Sequence, residues 1–152
     1  MDAVTYPDAT VIEFVSGTVV PLRIAFNHQP LSAEFNVKWT PTLITLDTDG
    51  KEHHRTVGFL GPDELIPSLL LGVGKTHFEN GEYDKALVAF EKLLDRYPKS
   101  VCVPEAIFFR GVASYKSKND PLPLRAAYDK LTAEFPENEW TKRAYPYRLI
   151  GA

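Results

Sequence analysis

The chain has 152 residues and a net charge of −3, with 44% hydrophobic and 24% charged residues. This balance fits one globular domain or two small ones. The charge gives no basis for nucleic-acid binding, and no apolar run reaches the ~18 residues that span a membrane. No signal peptide opens the chain, and Cys102 is its only cysteine. We expect a soluble protein of a reducing cytoplasm, or of the periplasm if the native chain extends upstream with a signal peptide.

The first half of the chain alternates between helix-like and strand-like segments. In chain order they are a helix over 9–16, a buried strand over 19–26, a short helix over 31–35, strands over 42–47 and 52–59, and a helix over 62–71. Pro21 indicates an edge or a bulge near the start of the first strand. Asp49-Gly50 between the two later strands is a strong hairpin signal.

Trp39-Thr40-Pro41-Thr42 leads directly into the strand over 42–47. This entry, the Asp-Gly hairpin and the exit through Gly58-Phe59-Leu60 resemble, in that order, the second half of a thioredoxin fold. The resemblance covers residues 1–71 and implies a cis-proline loop at Thr40–Pro41. It also implies that residues 1–8 end the helix after a C-x-x-C motif. Neither that motif nor the central strand of the fold occurs in this sequence.

The missing central strand has a physical consequence. In a complete thioredoxin fold it lies between the strands over 19–26 and 42–47. Without it, both inner edges expose unpaired backbone groups. The two strands then pair directly, giving a three-stranded sheet, or another chain fills the gap. A homodimer that pairs through the exposed sheet edges is therefore one of the alternatives.

The second half of the chain contains an internal repeat. The segment over 90–98 recurs 38 residues later over 128–136. Upstream of each copy, Gly74-x₃-Phe78 recurs as Gly111-x₃-Tyr115. A helix pair per unit at this period resembles the tetratricopeptide repeat.

The resemblance to the tetratricopeptide repeat assigns structural roles to individual residues. Gly74 and Ala86 allow the helices to approach closely, Phe90 fills the groove between them, and Pro98 ends the second helix. A capping helix is expected over 139–149, bent or shortened by a proline at position 146.

The predicted fold class is α/β plus all-α. Residues 1–71 form a truncated thioredoxin-like domain with a three-stranded sheet and helices, and residues 72–152 form two tetratricopeptide-like helical hairpins with a capping helix. No Gly/Ser-rich or Pro-rich spacer separates the two domains. We therefore predict one long helix, or two abutting helices, across the junction.

No residue pattern indicates catalysis, a metal site or a cofactor. Cys102 precedes a helix, where the pKa of a thiol can be lowered. Because it has no cysteine partner, we favour the interpretation that it is a small buried apolar residue and not a reactive thiol. His53 and His54 are adjacent in a strand and should face opposite sides of the sheet, so they should not bind one metal ion.

Two surfaces are candidates for binding. The loop of Trp39, Thr40 and Pro41 could contact a peptide, although a structural role is favoured. In tetratricopeptide arrays the first helix of each unit lines a concave groove for peptides or partner helices. The predicted groove positions are Lys75, His77, Phe78, Phe108, Arg110 and Lys116. The alternative is that the repeats only pack against the first domain.

These features predict a non-catalytic protein–protein interaction module whose groove docks a peptide or a partner protein. The alternative is a fragment of a bacterial thioredoxin-like thiol–disulfide oxidoreductase whose C-x-x-C motif lies upstream of Met1. A third interpretation is a structural role in homo-oligomer assembly through the open sheet edges.

Overall fold

A computed structural model describes residues 1–151 of the chain. The elements in chain order are α1 (Ala9–Thr18), α2 (Leu31–Glu34), β1 (Thr42–Leu46), β2 (Glu52–Val57), α3 (Pro62–Glu79), α4 (Tyr83–Arg96), α5 (Val103–Lys118), α6 (Leu122–Glu134), α7 (Glu139–Ala144) and a 3₁₀ turn (Tyr145–Leu149). The protein is therefore mostly helical, with one small sheet.

The predicted helix over 9–16 is confirmed as α1, which starts at an aspartate cap. Asp8 Oδ1 accepts hydrogen bonds from the backbone N–H groups of Thr10 at 2.9 Å and Val11 at 3.2 Å, so two otherwise unpaired donors are satisfied. Val11 is buried, and α1 packs against α3. Residues 1–8, expected to end a helix, form turns instead.

The predicted hairpin is confirmed as a two-stranded antiparallel sheet of β1 and β2. Thr42 pairs with Val57 and Thr45 with His54, but Leu46 then pairs with Glu52. His53 is thus an extra residue on β2, as in a β-bulge.

The predicted strand over 19–26 and the three-stranded sheet are wrong. Residues 19–25 have no regular secondary structure. Val20 is 97% and Leu22 78% exposed. The segment has the apolar alternation of a strand, but within residues 1–151 it has no strand to pair with. A strand pattern gives a strand only where a partner supplies the ladder hydrogen bonds.

A single helix, α3, crosses the junction between the two predicted domains. Pro62 occupies its first position, and Asp63 and Glu64 lie in its first turn, where acidic side chains complement the helix dipole. The hairpin packs against this helix, and so do α4 and α5. The one-helix form of the predicted junction is therefore confirmed, and the hairpin and the repeats share α3.

The helices from α3 onward form two layers. Helices α3, α5 and α7 contact each other in sequence and form one layer, while α4 and α6 pack against them as the second layer. The pairs α3–α4 and α5–α6 are the two predicted helical hairpins. The predicted cap is α7, which gives way to the 3₁₀ turn at Tyr145, next to Pro146.

A glycine allows close contact between the helices of each pair. A Cβ at Gly74 would lie 2.7 Å from Cδ1 and 2.8 Å from Cζ of the Phe90 ring. A Cβ at Gly111 would lie 2.7 Å from Cβ of Ala127 and 3.0 Å from the carbonyl oxygen of Pro123. Phe90 is fully buried in the core, so its ring cannot move aside easily. The two glycines are therefore equivalent packing positions.

Gly74→Ala should lower the free energy of unfolding by about 1–3 kcal/mol, because overpacking at the Phe90 ring outweighs the helix-propensity gain. Urea denaturation followed by circular dichroism measures the change. Gly17→Ala is the matched control, since nothing lies within 4 Å of its new methyl group. It should leave stability unchanged or raise it by up to about 1 kcal/mol. Equal effects of the two substitutions would contradict the packing argument.

Candidate functional site

The β-hairpin and α4 pack against opposite sides of α3. Ser68, Gly72 and Glu79 contact the hairpin, and these positions share one side of the helix. Gly74, which contacts Phe90 of α4, lies about 200° around the helix from Gly72. The hairpin thus covers the side of the α3–α5–α7 layer that faces away from α4 and α6. We call this side the inner face.

His54 holds the middle of the hairpin against α3. Its Nε2 lies 3.4 Å from Ser68 Oγ and 3.3 Å from Thr56 Oγ1, and these two hydroxyls are 2.9 Å apart. Burial lowers the pKa of the His54 imidazole to about 4, and the positive charge of Lys75 contributes in the same direction. His54 is therefore neutral in the folded protein at pH 7.

His53 joins the turn end of the hairpin to the end of α3. Its side chain is fully buried, with Nε2 2.8 Å from Asp47 Oδ2 and Nδ1 2.9 Å from Glu79 Oε2. The hydrogen bond with His53 holds the pKa of the Asp47 carboxyl below its ordinary value, helped by the backbone N–H groups of Lys51 and Asp49. The Asp47 carboxylate thus holds both the backbone of the hairpin turn and the imidazole ring of His53 in place.

The prediction that His53 and His54 face opposite sides of the sheet is wrong. Both side chains reach α3, His53 at Glu79 and His54 at Ser68. The bulge at His53 breaks the strict alternation of side chains along β2. The expectation about metal stays a prediction, and within residues 1–151 no group of three or more His, Cys, Asp and Glu side chains is arranged to hold a metal ion.

The inner face continues beyond the hairpin onto α5 and α7. On α5, the side opposite the buried Val103, Ala106 and Ile107 carries residues at helical spacing, and Trp140 of α7 adjoins them. The open part of the inner face consists of Glu105, Phe108, Phe109, Val112, Lys116 and Trp140. Lys116 is exposed, and the other five are partly buried. This is the candidate binding surface.

Three of the six residues of the open inner face are aromatic. The ring centroid of Trp140 lies 5.2 Å from that of Phe108 and 5.5 Å from that of Phe109. Tyr147 stacks on Phe108 at 5.9 Å, and the Arg143 guanidinium lies 4.5 Å from the Trp140 ring. Aromatic pairs at these distances gain about 0.5–1.5 kcal/mol beyond area burial. The surface is therefore held in a defined arrangement.

Four of the predicted groove residues lie on or beside the inner face. Lys75 Nζ is 2.9 Å from Glu105 Oε1, an ion pair that joins α3 to α5. Phe78 packs edge-to-face against Phe109 at 5.3 Å. The other two of the four are Phe108, beside Trp140, and the exposed Lys116.

The remaining two predicted groove residues lie elsewhere. His77 Nδ1 is 2.6 Å from Glu82 Oε2, in the turn between α3 and α4, and the residue lines a shallow depression between those helices. Arg110 is two residues from Val112, so it points about 200° away from that part of the inner face. The structure does not bring either residue together with the aromatic surface.

The loop of Trp39, Thr40 and Pro41 lies at the open end of the hairpin. Trp39 is 69% exposed, and its carbonyl oxygen accepts a 2.6 Å hydrogen bond from Thr42 Oγ1. The Thr40–Pro41 bond is cis, as the sequence resemblance implied. Gly58 N–H donates to the Pro41 carbonyl at 2.8 Å, so the loop continues the hairpin ladder.

Cys102 lies at the start of α5 and is partly buried. Burial raises the pKa of its thiol to about 11, although a hydrogen bond with Ser100 acts in the opposite direction. A thiol with a raised pKa is a poor nucleophile at neutral pH. The expectation of an inert, structural cysteine therefore has a physical basis.

Sequence reasoning missed Phe109, Trp140 and Glu105 as surface residues. A signal was present for Phe109 and Glu105, because they stand 37 residues after Gly72 and Ser68, at equivalent positions of the first repeat. No comparable signal existed for Trp140, which lies in the irregular cap.

A protein-family model described as tetratricopeptide repeat matches residues 68–100. The matched span takes in most of α3, all of α4 and the loop before α5. This segment is tetratricopeptide-like. The prediction of a first tetratricopeptide-like unit is thereby confirmed, and the match points to a protein–protein interaction module.

The other comparisons add no relative. No curated protein and no solved structure matches the chain. The thioredoxin-like relationship of residues 1–71 therefore stays a prediction. Among the described residues, no helix combines the length and the hydropathy needed to cross a bilayer.

Protonation of His54 should make the stability depend on pH. Because its pKa in the folded state lies below that of an unfolded histidine, the unfolded state takes up the proton first, and stability falls as pH drops from 6.5 toward 4. Between pH 7.5 and pH 5, protonation of His54 should lower the free energy of unfolding by about 2 kcal/mol.

The experiment compares the pH dependence of urea unfolding in the wild type and in His54→Gln. The variant should lose less stability than the wild type over this range, by about 2 kcal/mol. His28→Gln, at an exposed position, should behave as the wild type does. Identical pH profiles for the wild type and His54→Gln would refute the assignment.

The thiol of Cys102 should react slowly with a disulfide reagent such as Ellman's reagent at pH 7.4. A pKa of about 11 instead of 9.0 leaves about a hundredfold less thiolate, so the folded chain should react at least about a hundredfold more slowly than the urea-unfolded chain. Equal rates in the two states would contradict the burial argument.

Proposed function

We propose that the protein is a non-catalytic interaction module whose inner face docks an extended peptide segment of a partner protein. The single observation that carries the proposal is the aromatic surface of Phe108, Phe109 and Trp140, partly exposed on the layer of first helices. The tetratricopeptide match over residues 68–100 supports the same class of function.

The hairpin gives the groove one wall. It covers α3 on the inner face, so the open part of the surface lies on α5 and α7. The groove is therefore shorter than the full layer of first helices, and one partner segment would contact both the hairpin side and the cap.

The chemistry of the open surface suggests what the peptide should contain. Half-buried aromatic rings favour an apolar or aromatic anchor residue. Glu105 is already paired with Lys75, whereas Lys116 is exposed and has no ion pair with any described residue. An acidic residue near the anchor would therefore gain a favourable partner at Lys116.

The predicted oxidoreductase alternative has weaker support. The two cysteines that a dithiol cycle needs would lie upstream of Met1 in this alternative, and the one cysteine within the 152 residues, Cys102, is made unreactive by burial. The strand-like sequence over 19–26, which has no partner strand within residues 1–151, is the observation that still favours a thioredoxin-like origin. A single cysteine cannot form an internal disulfide, which fits the reducing cytoplasm that we propose as the compartment.

A linear peptide library displayed on phage and selected on the full chain tests the docking proposal. Selected peptides should carry an aromatic or large apolar residue next to an acidic one. Their addition should shift NMR resonances of α5 and α7. Shifts confined to α4 and α6 would contradict the proposal.

Substitutions on the two layers give a matched comparison for the selected peptides. Val112→Arg places a long, charged side chain on the open inner face and should weaken binding at least about tenfold in calorimetric titration. Val88→Arg makes the same change at an exposed position of α4 and should leave affinity unchanged. Circular dichroism should show the same helix content in both variants. Equal loss of affinity in both would show that the inner face is not the docking surface.

A further inference from the structure

Within residues 1–151, the apolar side of the segment Val20–Phe26 is largely uncovered. Its large apolar residues stand at alternate positions, as in a strand. Their exposed fractions are 97% for Val20, 78% for Leu22, 40% for Ile24 and 67% for Phe26. Exposed apolar patches of this kind mark interaction sites.

The backbone of this segment is also largely unpaired, although the Ala25 carbonyl accepts a 3.0 Å hydrogen bond from His28 N–H. Among the described residues, no backbone–backbone hydrogen bond involves positions 20–24. The side-chain tether is the ion pair of Arg23 with Asp2 at 2.8 Å, and both partners are more than 60% exposed. Exposed ion pairs contribute little to stability. The segment is therefore held only weakly against its own chain.

Strand β1 has one open edge. Within the described residues it pairs only with β2. Along an antiparallel pair, successive residues alternate between bonding to the partner strand and pointing away from it. Gly58 N–H donates to the Pro41 carbonyl, so Pro41, Leu43 and Thr45 are the residues that bond to β2. By that alternation, the backbone groups of Thr42, Ile44 and Leu46 point to the open edge. An open edge of this kind can accept another strand.

Strand β1 is also apolar on the side of the hairpin that faces away from α3, whereas the β2 residues there include the Arg55–Glu52 ion pair. Thr45 faces α3, so the neighbouring Ile44 and Leu46 project from the other side. On that side Leu46 is 39% and Val57 is 54% exposed. A strand added at the β1 edge could therefore place its own apolar side chains beside these residues.

We propose that two copies of this chain form a two-fold dimer by strand exchange, in which residues 22–26 of each copy pair with the open edge of β1 of the other. Strand β1 has five residues, and the five residues of this segment follow Pro21, so each retains its N–H donor. Each hairpin becomes part of a three-stranded sheet, which is more stable than an isolated pair.

A second copy of the chain is favoured over an unrelated partner, because one chain carries both parts of the contact, the free segment over 22–26 and the open edge of β1. The free segment and the free edge match in length and in apolar character. A two-fold axis pairs the free segment of each copy with the free β1 edge of the other at once. An extended peptide from another protein is the competing occupant, and it predicts that the purified chain is a monomer.

Sedimentation velocity on the purified chain tests the proposal between about 1 µM and about 100 µM, the range expected for an interface of modest size. The expected species has twice the chain mass of 17.1 kDa. A monomer over the whole range would overturn the proposal. The groove peptides are left out of this experiment, so failure here does not bear on the docking proposal.

Lysine substitutions at matched exposure locate the interface. Leu22→Lys with Phe26→Lys should weaken dimerisation at least tenfold. The control is Val101→Lys with Val88→Lys, whose side chains are 78% and 66% exposed and lie outside the segment. The control should dimerise as the wild type does, with unchanged circular dichroism in both variants. A dimer that survives the first pair of substitutions would overturn the proposal.

A disulfide trap tests the pairing itself. Two single-cysteine chains, Ile24→Cys and Ile44→Cys, each also carrying Cys102→Ala, are mixed and oxidised. A linked heterodimer on a non-reducing gel is expected, because the two positions lie on adjacent strands of different copies. Thr132→Cys, exposed on α6, replaces Ile24→Cys in the control. Linking no stronger than in this control would overturn the proposed pairing.

Discussion

Two glycines allow α3 to be packed closely on opposite sides, and the rest of the structure depends on this packing. Gly72 leaves room for Thr45 and His54 of the hairpin. Gly74 leaves room for the buried ring of Phe90. Because the two positions are about 200° apart on the helix, one helix serves both the sheet and the first repeat. A linker at this point would have removed that coupling.

The two contacts of α3 differ in chemistry. The contact with α4 and α5 is largely apolar and includes Leu71, Phe90 and Leu93, with the Lys75–Glu105 ion pair at its side. The hairpin contact is largely polar, built on His53, His54 and hydroxyl groups. A two-stranded hairpin is marginally stable by itself. The hairpin therefore depends on its contacts with α3 for its stability.

The repeats were predictable from sequence because their signals are local. Spacing, small residues and a terminating proline all act within one helix pair, and Gly74 and Phe90 could be assigned contacts in advance. The sheet was less predictable, because the strand pattern over 19–26 has no partner in the described chain. The bulge at His53 was also hidden, since no residue there departs from an ordinary strand composition. On the candidate surface, aligning the two repeats could have identified Phe109, but Trp140 is placed by tertiary packing alone.

The helical half and the sheet half of the protein offer different kinds of surface to a partner. Helical hairpins satisfy their own backbone groups, so α5 and α7 can present only side chains, as the rings around Trp140 do. The hairpin and the segment over 20–24 instead present unpaired backbone groups. Side-chain surfaces select partners by shape and charge, whereas open edges accept any chain that can adopt the strand geometry. The two proposals follow this division, with partner selection assigned to the helical half and self-association, in which identical copies supply a fixed register, assigned to the sheet half.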